Sequence, residues 1–274
     1  IGMFGITLPQ EYGGAGMNNV CYGLAMQELE RGDSGVRSFA SVQSSLVMYP
    51  IYTYGSEEIR MKWLPKLASG KAIGCFGLTE PDFGSNPSGM ITNAKKIDGG
   101  YLLNGAKMWI TNGGFADIFI VFAKIDNDKN LSAFIVEKDF GGITMNPEEH
   151  KMGIKGSSTR QVFFNDCPVP VENLLSEREN GFKIAVNILN IGRIKLGAAA
   201  IGSSRKVLDQ AINYANERIQ FGLPISKFGA IRYKLAEMAT RNFALESAAY
   251  RAGQNIEDAY EALVAKGMDS SKAK

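Results

Sequence analysis

Apolar residues recur at helical spacing at both ends of the chain and alternate with polar residues in its middle. In residues 20–31, apolar positions are separated by charged ones, which is typical of an amphipathic helix. Residues 38–49 are mostly apolar and predict a buried helix. A glycine, a serine and two glutamates then predict a new helix over residues 58–67, which we expect Pro65 to break.

The middle of the chain predicts short strands. Residues 101–105 give a strand-and-turn signal, and apolar and polar residues alternate in residues 117–124. Residues 131–136, 143–145 and 161–164 are further short strands, separated by glycine or asparagine. We therefore interpret residues 73–172 as a small antiparallel β domain of the barrel or sandwich kind.

The helical period returns at Gly181 and predicts a long, mostly buried helix. A second helix is predicted over residues 228–254, and a third from residue 256. The predicted fold class is α+β. It has an incomplete N-terminal helical domain (1–72), the antiparallel β domain (73–172) and a truncated C-terminal helical bundle (173–274). We expect the chain to be a piece of a longer protein.

Composition excludes several classes of function. A formal net charge of +2 gives no basic signal for a nucleic-acid partner. Three cysteines without a Cys-x-x-Cys pair, and a single histidine, His150, do not indicate a metal site. No targeting segment is visible, and we expect no membrane span because no apolar run approaches about 18 residues.

Two short blocks carry candidate chemistry. In the first, residues 76–86, Gly77 and Gly84 allow backbone to approach a bulky ligand. The Leu78-Thr79 pair can offer N–H groups and a hydroxyl to a flat heteroaromatic edge. Gly84 and Ser85 can offer an N–H and a hydroxyl to a pyrophosphate.

The second block, residues 107–113, adds an indole at Trp109 and a hydroxyl at Thr111. On a regular strand these two side chains face the same side. Either block alone is equally compatible with a turn followed by a strand that buries a tryptophan.

Together, the two blocks resemble the flavin-binding core of the acyl-CoA dehydrogenase family, and the resemblance covers essentially the whole chain. Residues 28–48 are similar to glutaryl-CoA dehydrogenase. The segments 116–119, 140–144 and 151–157 look closer to very-long-chain and broad-range acyl-CoA dehydrogenases. The two parts therefore favour different substrates.

The resemblance implies an FAD enzyme of fatty acid metabolism that oxidises an acyl-CoA thioester to the trans-2-enoyl-CoA. It implies FAD contacts at Phe76, Leu78, Thr79, Gly84, Ser85, Trp109 and Thr111, and at Arg218 and Phe221, which would reach the FAD of a neighbouring subunit. It implies substrate contacts at Glu30, Arg37, Ser38, Ser85, Asn190 and Arg193. Without the resemblance, Arg218 would be a solvated arginine at a helix end, and Glu30 with Arg37 an exposed pair.

No catalytic base is assigned. In most of the family the base is a glutamate late in the C-terminal domain, and in isovaleryl-CoA dehydrogenase it lies one residue before the long-helix arginine. That second position is Gly192 here, before Arg193. We therefore expect residues 1–274 alone to show no dehydrogenase turnover.

Several alternatives stay open, both for the substrate and for the kind of activity. A straight-chain acyl-CoA and a glutaryl-CoA, with decarboxylation, are both possible substrates. An acyl-CoA oxidase, a flavin monooxygenase or a non-catalytic assembly partner on the same fold would also carry these blocks. The resemblance further implies electron transfer to electron-transferring flavoprotein, a homotetramer built as a dimer of dimers, and a bacterial cytoplasmic or mitochondrial matrix location.

Overall fold

The computed structural model describes residues 2–269. In the sequence, helices come before and after a sheet whose strands all belong to the middle of the chain. The α-helices are α1 (Asn19–Gly32), α2 (Ser34–Ser41), α3 (Tyr49–Tyr54), α4 (Glu57–Ser69), α5 (Gly181–Glu217) and α6 (Gly229–Ala265). The strands are β1 (Gly74–Gly77), β2 (Asn93–Ile97), β3 (Gly100–Thr111), β4 (Ile118–Ile125), β5 (Ser132–Glu137), β6 (Ile143–Met145), β7 (Thr159–Pro170), β8 (Leu174–Leu175), β9 (Ile219–Gln220) and β10 (Leu223–Pro224).

A π-helical segment, Val42–Met48, joins α2 to α3 where the sequence predicted one uninterrupted helix. The Tyr49 N–H bonds to the Ser44 carbonyl, five residues earlier. Short π-helical turns are rare, and they are common at functional sites.

Buried Gln43 in this segment ties the helices to the sheet. Its Nε2 donates to the carbonyls of Leu67 (3.0 Å) and Ala72 (2.8 Å), while its Oε1 accepts from the Gly74 N–H (2.8 Å). One amide thus satisfies three backbone groups at the point where α4 ends and β1 begins, and fixes the entry to the sheet.

The predicted break at Pro65 is wrong, because α4 runs through it from Glu57 to Ser69. Proline lacks the N–H that would bond the preceding turn. The helix is held instead by its cap, where the Ser56 side chain accepts from the Ile59 N–H, and by burial of Trp63 and Leu64.

The main sheet has the order β6-β7-β3-β2-β4-β5-β8, and β1 pairs with β4. Most pairings are antiparallel, as predicted, but β1 and β2 both run parallel to β4. Strand β4 is buried on both faces because one face meets the helices and the other meets the second layer of the sheet. This explains its almost unbroken apolar sequence.

The C-terminal part contains two long helices. The predicted start of a third helix at residue 256 is wrong, since α6 continues through Gly253, which is buried beside Val20. Helix α5 packs against α1 and α6. An 18-residue window of α5 reaches a mean hydropathy of 1.4, with 44% of it buried.

By length and composition alone, that window of α5 could cross a membrane. The expectation that no apolar run approaches the length of a membrane span is therefore corrected. Its few charged residues are scattered among apolar and small ones. A buried core helix passes the same test, so the window by itself carries no membrane assignment.

A buried charge pair connects β3 to the loop that follows β1. Lys107 Nζ lies 2.8 Å from Glu80 Oε1, and the two side chains are 0% and 2% exposed. Glu80 also accepts from the backbone N–H groups of Ile91 and Thr92. Burial lowers the pKa of Lys107 to about 8, against the opposing effect of the Glu80 charge.

Glu80 is held ionised in the same cluster. Burial alone would raise the pKa of its carboxyl, but Lys107, Thr92 and the Ile91 N–H outweigh burial and hold that pKa below its usual value. The carboxylate therefore has both a counter-ion and hydrogen bonds, as a buried charge requires.

We predict that Lys107→Met lowers the free energy of unfolding by about 3–5 kcal/mol, because Glu80 is left as a buried charge without its counter-ion. Urea denaturation measures the change. The exposed pair Arg241–Glu237 gives the control, since Arg241→Met should cost about 1 kcal/mol or less. The double change Lys107→Met with Glu80→Gln should recover part of the loss, and no recovery would contradict the pair's assigned role.

Candidate functional site

The two blocks singled out in the sequence lie side by side in the sheet. The Met108 N–H donates to the Thr79 carbonyl (2.9 Å), and Lys107 Nζ donates to the Leu78 carbonyl (3.3 Å). Leu78 and Thr79 are thereby fixed next to Trp109. The structure thus brings these predicted flavin contacts together.

Trp109 lies on an irregularity of β3. The pairing of β3 with β7 shifts register between Lys107 and Ile110, and Trp109 takes a φ of +61°. Its indole is 57% exposed, whereas Lys107 and Ile110 are buried. A bulge re-aims side chains in this way. The assumption of a regular strand at Trp109 is therefore wrong, and the shared side of Trp109 and Thr111 stays a prediction.

The turn after Thr111 is organised by Asn112, a residue that the sequence analysis did not single out. Asn112 is fully buried with a φ of +66°, and its Nδ2 donates to the Gly74 carbonyl (3.2 Å). Its Oδ1 is buried without a hydrogen-bond partner among the described residues. An asparagine that follows a strand is a known sign of this left-handed conformation.

The remaining residues of the first block differ in how far they are buried. Phe76 is half-buried and packs edge-on against Phe122 at 5.2 Å. Gly84 and Ser85 are exposed in a loop, with open space where a Gly84 side chain would lie. At Gly77 the space a side chain would need is bordered by the protein itself, since a Cβ there would lie 3.3 Å from Lys107 Cγ. Neither glycine uses a positive φ.

Helix α2 lies against the turn that follows β3. The rings of Phe39 and Phe115 are 6.0 Å apart, and a Cβ on Gly35 would come within 2.8 Å of Gly156. This contact brings the predicted substrate residues Arg37 and Ser38 to the same side of the molecule as the Trp109 region.

Glu30 and Arg37 form a half-buried ion pair, with Arg37 Nε 2.5 Å from Glu30 Oε2 and side chains 12% and 9% exposed. Ser34 (2.5 Å) and Ser203 (3.1 Å) donate to the other carboxylate oxygen. Burial would raise the pKa of Glu30, but Ser34 and Arg37 outweigh it and keep that pKa low. The exposed pair expected without the resemblance is therefore wrong.

Asn190 and Arg193 are neighbours on the exposed side of α5. The Arg193 guanidinium donates to Asn190 Oδ1 at 2.5 Å. The sequence analysis suggested that Arg193 would be buried among apolar residues, but both side chains are exposed. Gly192, half-buried beside them, provides no carboxylate.

Arg218 and Phe221 are apart from the Trp109 region within this chain. Both lie at the β9–β10 hairpin beyond α5, and Phe221 is 85% exposed with a φ of +54°. Phe221 packs against Phe228 at 6.2 Å. Across residues 2–269, no recorded hydrogen bond, ion pair or ring contact joins these two residues to the other predicted flavin contacts.

Sequence reasoning missed three buried polar residues, Glu80, Lys107 and Lys195. For Lys107 the sequence gives only a weak indication, because a charged residue occupies a position of β3 where the alternation of buried and exposed residues requires an apolar one. The part of the chain that the structure describes contains no group of three potential metal ligands.

Three family models match consecutive parts of the chain. Residues 1–71 match the acyl-CoA dehydrogenase N-terminal domain, residues 75–167 its middle domain and residues 179–274 its C-terminal domain. The expected order of helical, β and helical domains is confirmed.

Two relatives come from Bacillus subtilis (strain 168). A probable acyl-CoA dehydrogenase is 44% identical over 99% of this chain, which spans 46% of that relative. An acyl-CoA dehydrogenase is also 44% identical over 99% of this chain, which spans 74% of that protein. The chain thus spans only part of each.

A crystal structure of an acyl-CoA dehydrogenase from Bacillus anthracis, complexed with FAD, superposes with a TM-score of 0.94. Its sequence is 44% identical, and the match covers 99% of this chain and 47% of that one. Consecutive domain matches and this identity along almost the whole length show that the chain belongs to the acyl-CoA dehydrogenase family.

Proposed function

We propose that the protein binds FAD and takes part in the α,β-dehydrogenation of an acyl-CoA thioester to the trans-2-enoyl-CoA. Family membership supports this assignment, as does the FAD in the similar Bacillus anthracis structure. The observation that carries it is the exposed indole of Trp109, raised on a β-bulge beside Leu78 and Thr79.

The residues present fit a flavin. An indole that is 57% exposed offers a flat apolar face, and bulges re-aim side chains near active sites. Asn112 keeps a buried carbonyl oxygen without a partner in the adjacent turn. Gly84 and Ser85 lie exposed in the loop, where an N–H and a hydroxyl can bind phosphate.

We assign Phe76, Leu78, Thr79, Trp109 and Thr111 to holding the ring system of FAD. When bound, FAD supplies the acceptor for the hydride that leaves the substrate β-carbon. Thr79 would hydrogen-bond the pyrimidine edge, and the Thr111 hydroxyl would lie near N5. The Lys107–Glu80 pair holds β3 against the loop that carries Leu78 and Thr79, so that orienting these residues costs little when a ligand binds.

On the substrate side, we assign Ser85, Asn190 and Arg193 to the CoA arm. Arg193 is exposed and makes its recorded hydrogen bond to Asn190, so its remaining donors are accessible to an anionic ligand. No residue is assigned as the catalytic base, and Gly192 cannot act as one.

Glu30, Arg37 and Ser38 are assigned to the far end of the acyl pocket. The charge of Arg37 is already compensated by Glu30, which has further donors in Ser34 and Ser203. A pocket end with no net charge accepts an uncharged chain more readily than a carboxylate. We therefore place a straight-chain acyl-CoA ahead of glutaryl-CoA as the substrate.

Arg218 and Phe221 are assigned to the FAD of a neighbouring subunit in a dimer of dimers. Their exposure at the end of α5, away from the chain's own Trp109 region, is compatible with contact to another subunit. A guanidinium pairs well with a pyrophosphate. We further assign electron-transferring flavoprotein as the electron acceptor.

Anaerobic spectroscopy tests the proposal. The purified protein, loaded with FAD, is mixed with butyryl-CoA and the visible flavin absorbance is followed. We expect FAD to bind, and its absorbance to bleach when the protein assayed also carries the family's C-terminal glutamate, as it must in the kinetic tests that follow. Failure to bind FAD would overturn the proposal, and rapid peroxide formation on admitting air would favour an oxidase instead.

Thr111→Val is predicted to slow flavin reduction while FAD binding is mostly retained. The change removes the hydroxyl proposed to lie near N5 and keeps the shape of the side chain. Stopped-flow reduction by butyryl-CoA measures the rate. Thr144→Val on β6 is the matched control, since Thr144 is exposed at the other side of β7. Equal rates in both variants would remove Thr111 from the flavin site.

Arg37→Met is predicted to reduce activity on glutaryl-CoA and on butyryl-CoA by similar factors, because Glu30 loses its partner whichever substrate is bound. Arg31→Met, which breaks an exposed pair with Glu28, is the control. Steady-state kinetics on both substrates measures the ratio. A selective loss on glutaryl-CoA of tens- to thousands-fold, about 2–5 kcal/mol, would instead assign Arg37 to a substrate carboxylate.

A further inference from the structure

A cavity of 540 Å³ lies between α1, the π-helical segment, α5 and α6, apart from the Trp109 region. Its volume is in the range of small-molecule sites, about 300–1,000 Å³. Part of its wall is apolar, and part carries hydroxyl groups. Its wall includes Val20, Tyr22, Ser44, Lys195, Ile256 and Glu257.

Lys195 is a buried cation in this wall. The residue is 6% exposed, and its Nζ makes one recorded hydrogen bond, 3.2 Å to the Ser41 carbonyl. Among residues 2–269 no ion pair includes it. The Tyr22 ring centroid is 6.0 Å away. A buried ammonium without a counter-ion is unfavourable, and an anion in the cavity would remove that cost.

Lys195 differs from the other two buried or half-buried cations near the helices and the sheet. Lys107 is neutralised by Glu80, and Arg37 by Glu30. Arg37 also lies close enough to repel Lys195, and burial with this repulsion lowers the pKa of Lys195 to about 7. Lys195 therefore has unsatisfied donors where its neighbours have partners.

The charges on the cavity wall orient a ligand. The titratable groups that surround Lys195 or line the cavity are Tyr22 and Glu30 on α1, Arg37 on α2, Tyr49 on α3, and Tyr250, Glu257, Tyr260 and Glu261 on α6. Glu257 accepts from the Asn19 N–H at 2.6 Å on the α1–α6 side. A negative group is repelled there and attracted at Lys195.

We propose that this cavity binds a carboxylate carried on an apolar chain, with the carboxylate at Lys195 and the chain along Val20 and Ile256. Tyr22, whose ring centroid is 6.0 Å from Lys195 Nζ, has its hydroxyl 2.5 Å from that of Ser44, and Ser44 donates to the Ala40 carbonyl at 2.8 Å. The Ser44 position depends on the π-helical segment. The carboxylate belongs either to the far end of an acyl substrate or to a separate free acid, and only the first source depends on the proposed function.

Calorimetric titration with decanoate, and with decanol as its uncharged counterpart, tests the site. We expect decanoate to bind and Lys195→Met to weaken that binding about tenfold or more, as loss of a charge-assisted hydrogen bond does. Decanol binding should not change. Lys183→Met, an exposed lysine on the same helix, is the matched control. No decanoate binding, or binding unaffected by Lys195→Met, would overturn the proposal.

Proton uptake on ligand binding is a second measurement, and a purely structural role of Lys195 would not give rise to it. At pH 8 the amine is mostly neutral in the free protein, because its pKa is about 7. A bound carboxylate favours the charged form, so binding should take up a proton and weaken as pH rises. Titration in two buffers of different ionisation enthalpy measures the uptake, which Lys195→Met should abolish. Thermal denaturation confirms that the variant folds, and absence of proton uptake in the unmodified protein would contradict the proposal.

A third comparison identifies the source of the carboxylate. Sebacoyl-CoA and decanoyl-CoA have the same chain length and differ in the distal carboxylate. Tighter binding of sebacoyl-CoA that is lost in Lys195→Met assigns the site to the substrate. Equal binding of the two, with decanoate still bound beside decanoyl-CoA, assigns it to a separate acid. FAD binding by the unmodified protein tests the proposed function independently of either result.

Discussion

The buried pair of Lys107 and Glu80 is the constraint on which the candidate site depends. It is almost fully removed from solvent, and it joins β3 to the loop after β1 while the backbone of Ile91 and Thr92 satisfies the same carboxylate. Such a pair is weak as a source of stability, because desolvation offsets much of its attraction. Its value is geometric. It holds β3 against the loop that carries Leu78 and Thr79, two residues before the position where the bulge presents Trp109.

Much of this architecture could be predicted from the sequence because local patterns decide it. The helical period of α1 and the apolar runs of β4 and β5 gave the elements and their order. The β-bulge at Trp109, the continuity of α4 through Pro65 and the passage of α6 through Gly253 could not be predicted. At Gly253, packing against Val20, which is distant in sequence, outweighs the local preference.

In the candidate site too, some features could be predicted from local sequence and others could not. Residues in short blocks, such as Leu78 with Thr79, or Trp109 with Thr111, could be proposed from sequence because the members of each block are close together in the chain. Charge compensation was not visible, since Arg37 and Glu30 neutralise each other while Lys195 has no ion-pair partner within residues 2–269. Whether a charged side chain is available to a ligand depends on what surrounds it in three dimensions, and one sequence does not record that.

The π-helical segment has a consequence for how this fold can vary. It accommodates one more residue between hydrogen-bonded groups than an α-helix does. Loss of a single residue from Val42–Met48 would restore α-helical bonding and rotate the residues that follow by about 100° relative to those before. Gln43 and Ser44 would then no longer both meet their present partners. The shape of the helical wall is therefore set by the number of residues in this segment as well as by their identity, and a homologue one residue shorter here would enclose a different space with nearly the same composition.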